Sequence, residues 1–110
     1  MHRDVAIIGA GYVGVPLAQV FADAGRAVLL VDVSAERVAQ LNRGESYIED
    51  VPSETLGPLV ENGQVRATTD YDELRDADAI IIAVRAESAT IRIERASDAV
   101  SIGDLVALHR

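Results

Sequence analysis

Gly9, Gly11 and Gly14 fall in the spacing G-x-G-x-x-G within "VAIIGAGYVG", and Asp32 follows the last of them by 18 residues. Glycines so spaced between a strand and a helix suit dinucleotide binding. Gly9 allows the tight turn, Gly11 lets the backbone approach a pyrophosphate, and Gly14 lets the helix pack close to the sheet. The free N–H groups from about Tyr12 to Gly14 then face the anion, which a helix N-terminus favours by about 0.3–1 kcal/mol, and up to about 2 when partly buried. Asp32 is placed to accept hydrogen bonds from the adenine ribose, which favours NAD over NADP. A 2′-phosphate there would meet a carboxylate, at a cost on the order of 4 kcal/mol at about 4 Å and an effective dielectric of about 20. The alternatives are a turn that binds nothing, an Asp32 that only caps a helix beside Ser34, and a flavin dinucleotide on the same turn.

The rest of the chemical inventory is short. The 110 residues contain no cysteine, and all ten basic residues are arginine, so these residues offer no disulfide, thiolate zinc site, thiol nucleophile or Schiff base. His2 and His109 lie near the ends of the sequence and read as solvated, and no pair has metal-ligand spacing; neither a metal nor a catalytic residue is expected. The net charge of −8 sits wholly in residues 45–78, which hold ten acids and two arginines. Such a surface repels phosphate backbones, and the basic stripe of a nucleic-acid binder is missing. These acids read as a solvated face, with Glu49 and Asp50 the best placed for a functional role.

The elements that must position the turn follow from the apolar pattern. "VAIIG" (5–9), "AVLLV" (27–31) and "AIIIAV" (79–84) are continuous apolar runs of the kind buried on both faces of a parallel sheet. Val13, Leu17, Val20, Phe21 and Ala24 form a helical stripe that Gly25 ends, and a second helix capped by Ser34 carries Val38 and Leu41 up to Gly44. Pro52, Gly57, Pro58 and Gly63 limit the next helix to a short one after a cap at Ser53; "VRAT" (65–68) predicts a brief strand and "DYDELRDAD" (70–78) a short acidic helix. Beyond Val84 the pattern predicts an edge strand at "TIRIER", a short helix from Ser97 and a strand at "DLVAL". The fold class is α/β, a Rossmann-like, doubly wound, mostly parallel sheet that is incomplete. Residues 1–84 form its N-terminal part and 85–110 a divergent tail. No run approaches the roughly 20 apolar residues of a membrane span, and no secretory signal precedes the first strand, so the cytoplasm is the expected location.

"VAIIGAGYVGVPLAQVFADAG", "VLLVDVSAERVAQLNRGESYIEDVPSETL" and "ATTDYDEL…DADAIIIAV" resemble the N-terminal NAD domain of the UDP-glucose/GDP-mannose dehydrogenase family over about residues 4–84. The "GYVG" run, an aspartate followed five positions on by a basic residue, the "LNRGES" turn and "TTD" before the last strand carry the likeness. "SYIEDVPSE" is similar to the members that oxidise UDP-N-acetylhexosamines. The resemblance implies a backbone contact to the pyrophosphate region from Val13, a ribose contact from Asp32, a further contact on the adenosine side from Arg37 and a mainly backbone role for Tyr12. Val84, where the likeness ends, completes the cofactor-binding set. After it the family continues with a proline-threonine-proline run, where this chain reads "RAE".

Family members use a cysteine, assisted by a lysine and an asparagine, to take a UDP-sugar alcohol to a uronic acid. The expectation is therefore the NAD half of a nucleotide-sugar 6-dehydrogenase, truncated, inert alone or completed by a chain that carries the cysteine and the UDP-sugar. The alternative is a stand-alone module that binds NAD or another adenine nucleotide. "AIIIAV" is apolar on both faces and the tail has few apolar residues to cover it, so part of the strand and its edge are expected to meet water and to drive self-association or pairing with a partner.

Overall fold

Short apolar runs rich in Val, Ile and Leu form four parallel strands, β1 (Arg3–Ile8), β2 (Val28–Val31), β3 (Val65–Thr68) and β4 (Ala77–Ile82). The structure is a computed structural model that describes residues 2–83 and the backbone of 92–95. A fifth strand, β5 (Arg92–Arg95), pairs antiparallel with β4, giving the order β3-β2-β1-β4-β5. Val5 lies opposite Val28 on one side and Ala79 on the other, so β1 is central. The chain winds outward from β1 to β3 and then crosses back to β4. That reversal opens a crevice at the C-terminal ends of the strands, where open α/β sheets bind ligands.

Three helices, α1 (Gly14–Asp23), α2 (Ala35–Asn42) and α3 (Ser53–Glu61), cover one face of the sheet. Val15, Ala18, Leu41 and Leu56 from the helices bury against Val5, Ile7 and Leu30 from the strands. Because side chains alternate along a strand, Ala6, Ile8, Leu29, Val31, Ile80 and Ile82 form a second cluster on the other face. There they meet Leu74 and Tyr71 of a 3₁₀ turn (Tyr71–Asp76). At the outer edge of the sheet the Asn42 side-chain amide donates to the Ala67 carbonyl and accepts the Ala67 N–H, both at 2.9 Å.

Several local expectations are revised. Ser53 is the first residue of α3 rather than its cap. Pro52 holds the cap position, and the Ser53 hydroxyl instead accepts the Ser46 N–H at 2.9 Å. The helix also runs through Pro58 to Glu61, because the residue before the proline is Gly57, which lacks the Cβ that would clash with the proline ring. The acidic segment is a 3₁₀ turn, fixed at its start by the Asp70 carboxylate accepting the Asp72 N–H, and β4 begins at Ala77. Ile80, Ile81 and Ile82 are buried, and β5 pairs the far edge of β4, so this strand is not left to water as expected. Within the expected "TIRIER" strand, β5 runs from Arg92 to Arg95. The helix from Ser97, the "DLVAL" strand and Val84 lie outside the described residues. Among the described residues no helix is long and apolar enough to cross a membrane.

Candidate functional site

The three glycines of the turn differ in what they do. Gly9 has φ +105°, in the region that favours glycine, and its N–H donates to the Val31 carbonyl at 2.8 Å, tying the turn to β2. A Cβ on Gly14 would lie 1.8 Å from the Gly9 carbonyl oxygen, so α1 can start this close to β1 only with glycine there. A Cβ on Gly11 would meet nothing within 4 Å. The protein itself therefore leaves room at Gly11 for a group that approaches the backbone, as a pyrophosphate would. Val13 occupies the cap position of α1 and no side chain caps it; the Val15 N–H donates to the Gly11 carbonyl and the Leu17 N–H to the Val13 carbonyl, both at 3.1 Å, and Pro16 has no N–H.

Asp32, at the end of β2, uses both carboxylate oxygens on backbone. Oδ2 accepts the Ala10 N–H at 2.9 Å and Oδ1 the Ser34 N–H at 2.8 Å. Ser34 is the cap of α2, its hydroxyl accepting the Arg37 N–H at 3.2 Å, so Asp32 is not that cap. Each carboxylate oxygen keeps further acceptor capacity, enough for ribose hydroxyls.

Beside the turn lies an open pocket of about 390 Å³. Gly11 and Tyr12 line it from the turn, Ser34, Glu36, Arg37 and Gln40 from the start of α2, and Tyr47 and Ile48 from the following loop. Of the residues singled out from sequence, Gly11, Tyr12 and Arg37 thus come together. Gly9, Val13, Gly14 and Asp32 shape the turn behind the lining. Tyr12 is 70% exposed, while Arg37 is not simply solvated, since its guanidinium sits 5.3 Å from the Tyr47 ring centroid. Glu49 and Asp50 are exposed and outside the lining.

Sequence reasoning passed over Tyr47. Its hydroxyl donates to the Ala10 carbonyl at 2.5 Å. Burial pushes its phenol up to about 12, with Arg37 opposing and Asp32 adding to the rise. Tyr71 is also raised, by burial and then by Asp32. The signal that could have found Tyr47 is weak: one aromatic residue in an otherwise acidic loop.

At the opposite end of the sheet, where the sequence showed no metal-ligand spacing, the fold brings His2, Asp4 and Asp78 together, with one ligand atom of each within 4.8 Å of the others. Asp4 and Asp78 sit side by side on neighbouring strands. The imidazole lies 3.1 Å from Asp78 and 3.7 Å from Asp4, and when protonated it offsets their repulsion.

Residues 3–99 match the UDP-glucose/GDP-mannose dehydrogenase family, NAD binding domain. The chain is 41% identical over 81 residues to UDP-glucose 6-dehydrogenase AglM of Haloferax volcanii, a match covering 74% of this chain and 19% of that protein. It is also 41% identical to UDP-N-acetyl-D-mannosamine dehydrogenase of Salmonella typhi, over 73% of this chain and 19% of the relative. Among solved structures, GDP-mannose dehydrogenase from Pseudomonas aeruginosa superposes with a TM-score of 0.72 at 27% identity, covering 94% of this chain and 23% of that one. The chain thus spans about a fifth of the length of the curated relatives it matches.

Proposed function

Because this chain belongs to the UDP-glucose/GDP-mannose dehydrogenase family, through its NAD-binding domain, we propose that it holds the adenosine diphosphate half of NAD between the glycine turn and the start of α2. The observation that carries this reading is the turn itself, where Gly14 is required by packing while Gly11, with nothing within 4 Å of its Cβ position, lines the pocket beside Tyr12 and Arg37. The backbone from Gly11 to Gly14 receives the pyrophosphate, Asp32 the ribose hydroxyls, and Tyr12 and Arg37 border the adenosine. Val84, which lies outside the described residues, is assigned to the remainder of the cofactor on the family resemblance alone.

NAD, when bound, supplies a hydride acceptor; the residues of this chain bind and orient it. In this reading the domain serves the oxidation of a nucleotide-sugar alcohol. The 110 residues contain no cysteine and no lysine, so covalent capture of the sugar aldehyde by a thiol needs a polypeptide segment beyond them. A copy of the same 110 residues cannot supply that thiol. Self-association or a partner chain stays part of this reading, and with Ile80 to Ile82 buried it would use a surface other than those side chains.

Calorimetry with NAD, ADP-ribose and NADP tests the reading. NAD and ADP-ribose are expected to bind with similar affinity and NADP more weakly. Asp32→Ala should weaken NAD at least tenfold and NADP less, since the substitution also removes the charge conflict with the 2′-phosphate. Equal losses for the two cofactors would remove Asp32 from the ribose site.

A further inference from the structure

Ala10 is fully buried, and both of its polar groups are held from distant parts of the chain. Asp32 takes its N–H at 2.9 Å, and the Tyr47 hydroxyl donates to its carbonyl at 2.5 Å. That carbonyl shares a rigid trans peptide unit with the Gly11 N–H, so whatever fixes the carbonyl also fixes the direction of that donor. Among the described residues no acceptor takes the Gly11 N–H.

The neighbouring parts of the turn have other restraints. Gly9 is bonded to Val31, and Gly14 sits where a Cβ would collide with the Gly9 carbonyl. The Gly11 carbonyl accepts the Val15 N–H at 3.1 Å, which fixes the peptide after Gly11, but the Ala10–Gly11 peptide before it adjoins a glycine with open space around its Cβ position, which lets that peptide rotate at little cost. The Tyr47 hydroxyl is what opposes that rotation. The Arg37 guanidinium over the Tyr47 ring in turn holds the phenol against α2.

We propose that Tyr47 is a positioning residue of the dinucleotide turn: its hydroxyl orients the Ala10–Gly11 peptide so that the Gly11 N–H is presented to a pyrophosphate. The proposal rests on the NAD reading above and adds to it a residue from the loop between α2 and α3, 37 residues along the chain from the carbonyl it holds.

Calorimetry of the unmodified chain and of Tyr47→Phe, each with ADP and with adenosine, separates the roles. The variant keeps the ring that lines the pocket and loses only the hydroxyl. ADP is expected to bind at least tenfold more weakly to Y47F, while adenosine changes by less than twofold. Equal weakening of both ligands, or no weakening of ADP, overturns the proposal, because a residue that merely walls the pocket does not distinguish a pyrophosphate. Failure of the unmodified chain to bind ADP overturns the NAD reading itself, before any variant is compared. A measurement on the unmodified protein does not depend on Y47F folding: the Tyr47 hydroxyl proton should exchange slowly enough to give its own NMR resonance, with a cross-peak to Ala10. Fast exchange of that proton with water counts against the bond and overturns the proposal.

Discussion

The two ends of the parallel sheet treat their polar groups differently. At the N-terminal end side chains turn back onto the backbone: Arg3, only 4% exposed, donates from its guanidinium to the Gly63 carbonyl at 2.9 Å and reaches the Val28 and Gln64 carbonyls at 3.4 Å, stapling β1 to the starts of β2 and β3, while its buried Nε has no acceptor among the described residues. Asp4 accepts the Ala27 N–H at 2.8 Å and flanks His2. At the C-terminal end the bonds run behind the turn, from Asp32 and Tyr47 to Ala10, and leave its forward side open. The same sheet thus has one end where side chains turn back onto the backbone and one left open in front of the turn, which in the proposed reading separates residues that hold the fold from residues that hold the cofactor.

The largest effect that would break this comparison belongs to Gly14→Ala. The added methyl would sit 1.8 Å from a backbone oxygen, and the helix must move or the turn must open. A loss of more than about 3 kcal/mol is expected, at or beyond the usual cost of overpacking, read as a collapse of the thermal transition. Arg3→Met comes next. It leaves carbonyls without their donor and should cost about 1–2 kcal/mol in a urea melt while leaving NAD affinity unchanged, because the change lies at the closed end. A shift in NAD affinity with R3M would mean that the two ends are coupled.

Gly11→Ala sharpens the contrast from the other side. Its Cβ meets no protein atom, so stability should stay within about 0.5 kcal/mol, whereas NAD affinity should fall about tenfold or more as the methyl occupies the ligand's approach. Loss of stability without loss of binding would show that the open space serves the fold. The smallest expected effect is a pH dependence. Burial raises the Tyr47 phenol to about 12, above its unfolded value, so the native state keeps a proton that the unfolded chain has lost. The stabilisation is complete below about pH 10 and is lost as the pH rises from there to about 12. The melting temperature of the unmodified protein should therefore fall more steeply across that window than that of Tyr47→Phe, and parallel slopes would place the phenol in water.

The turn was legible in the sequence because its constraints are local: three glycines and an aspartate between apolar runs describe a strand, a tight turn and a helix without reference to anything distant. The alternation of strands and helices pointed to a parallel, doubly wound sheet, and the order β3-β2-β1-β4 is seen only in the structure. Tyr47 and Asn42 were not legible, because each acts on the backbone of one residue far along the chain, Tyr47 through one bond and Asn42 through two, and such an isolated polar contact leaves no periodic trace. Arg3 reads as a charged residue ahead of a strand, and only the sheet order shows that its guanidinium reaches across β2. The length of helix α3 was hidden for a different reason: Gly57 and Pro58 each argue for an early end, yet the glycine supplies the room the proline needs.

The Asn42 amide on Ala67 has a consequence for crowded solutions of this protein. An outermost strand with free N–H and C=O groups is a template on which another extended chain can hydrogen-bond, the first step of sheet-to-sheet growth. β3 is only four residues long, and at Ala67 the primary amide of Asn42 takes the place a neighbouring peptide would fill, donor matched to acceptor on both sides. A foreign strand would have to displace two good bonds before gaining its first two. One side chain projecting from a helix thus occupies this edge at Ala67 much as a further strand would there.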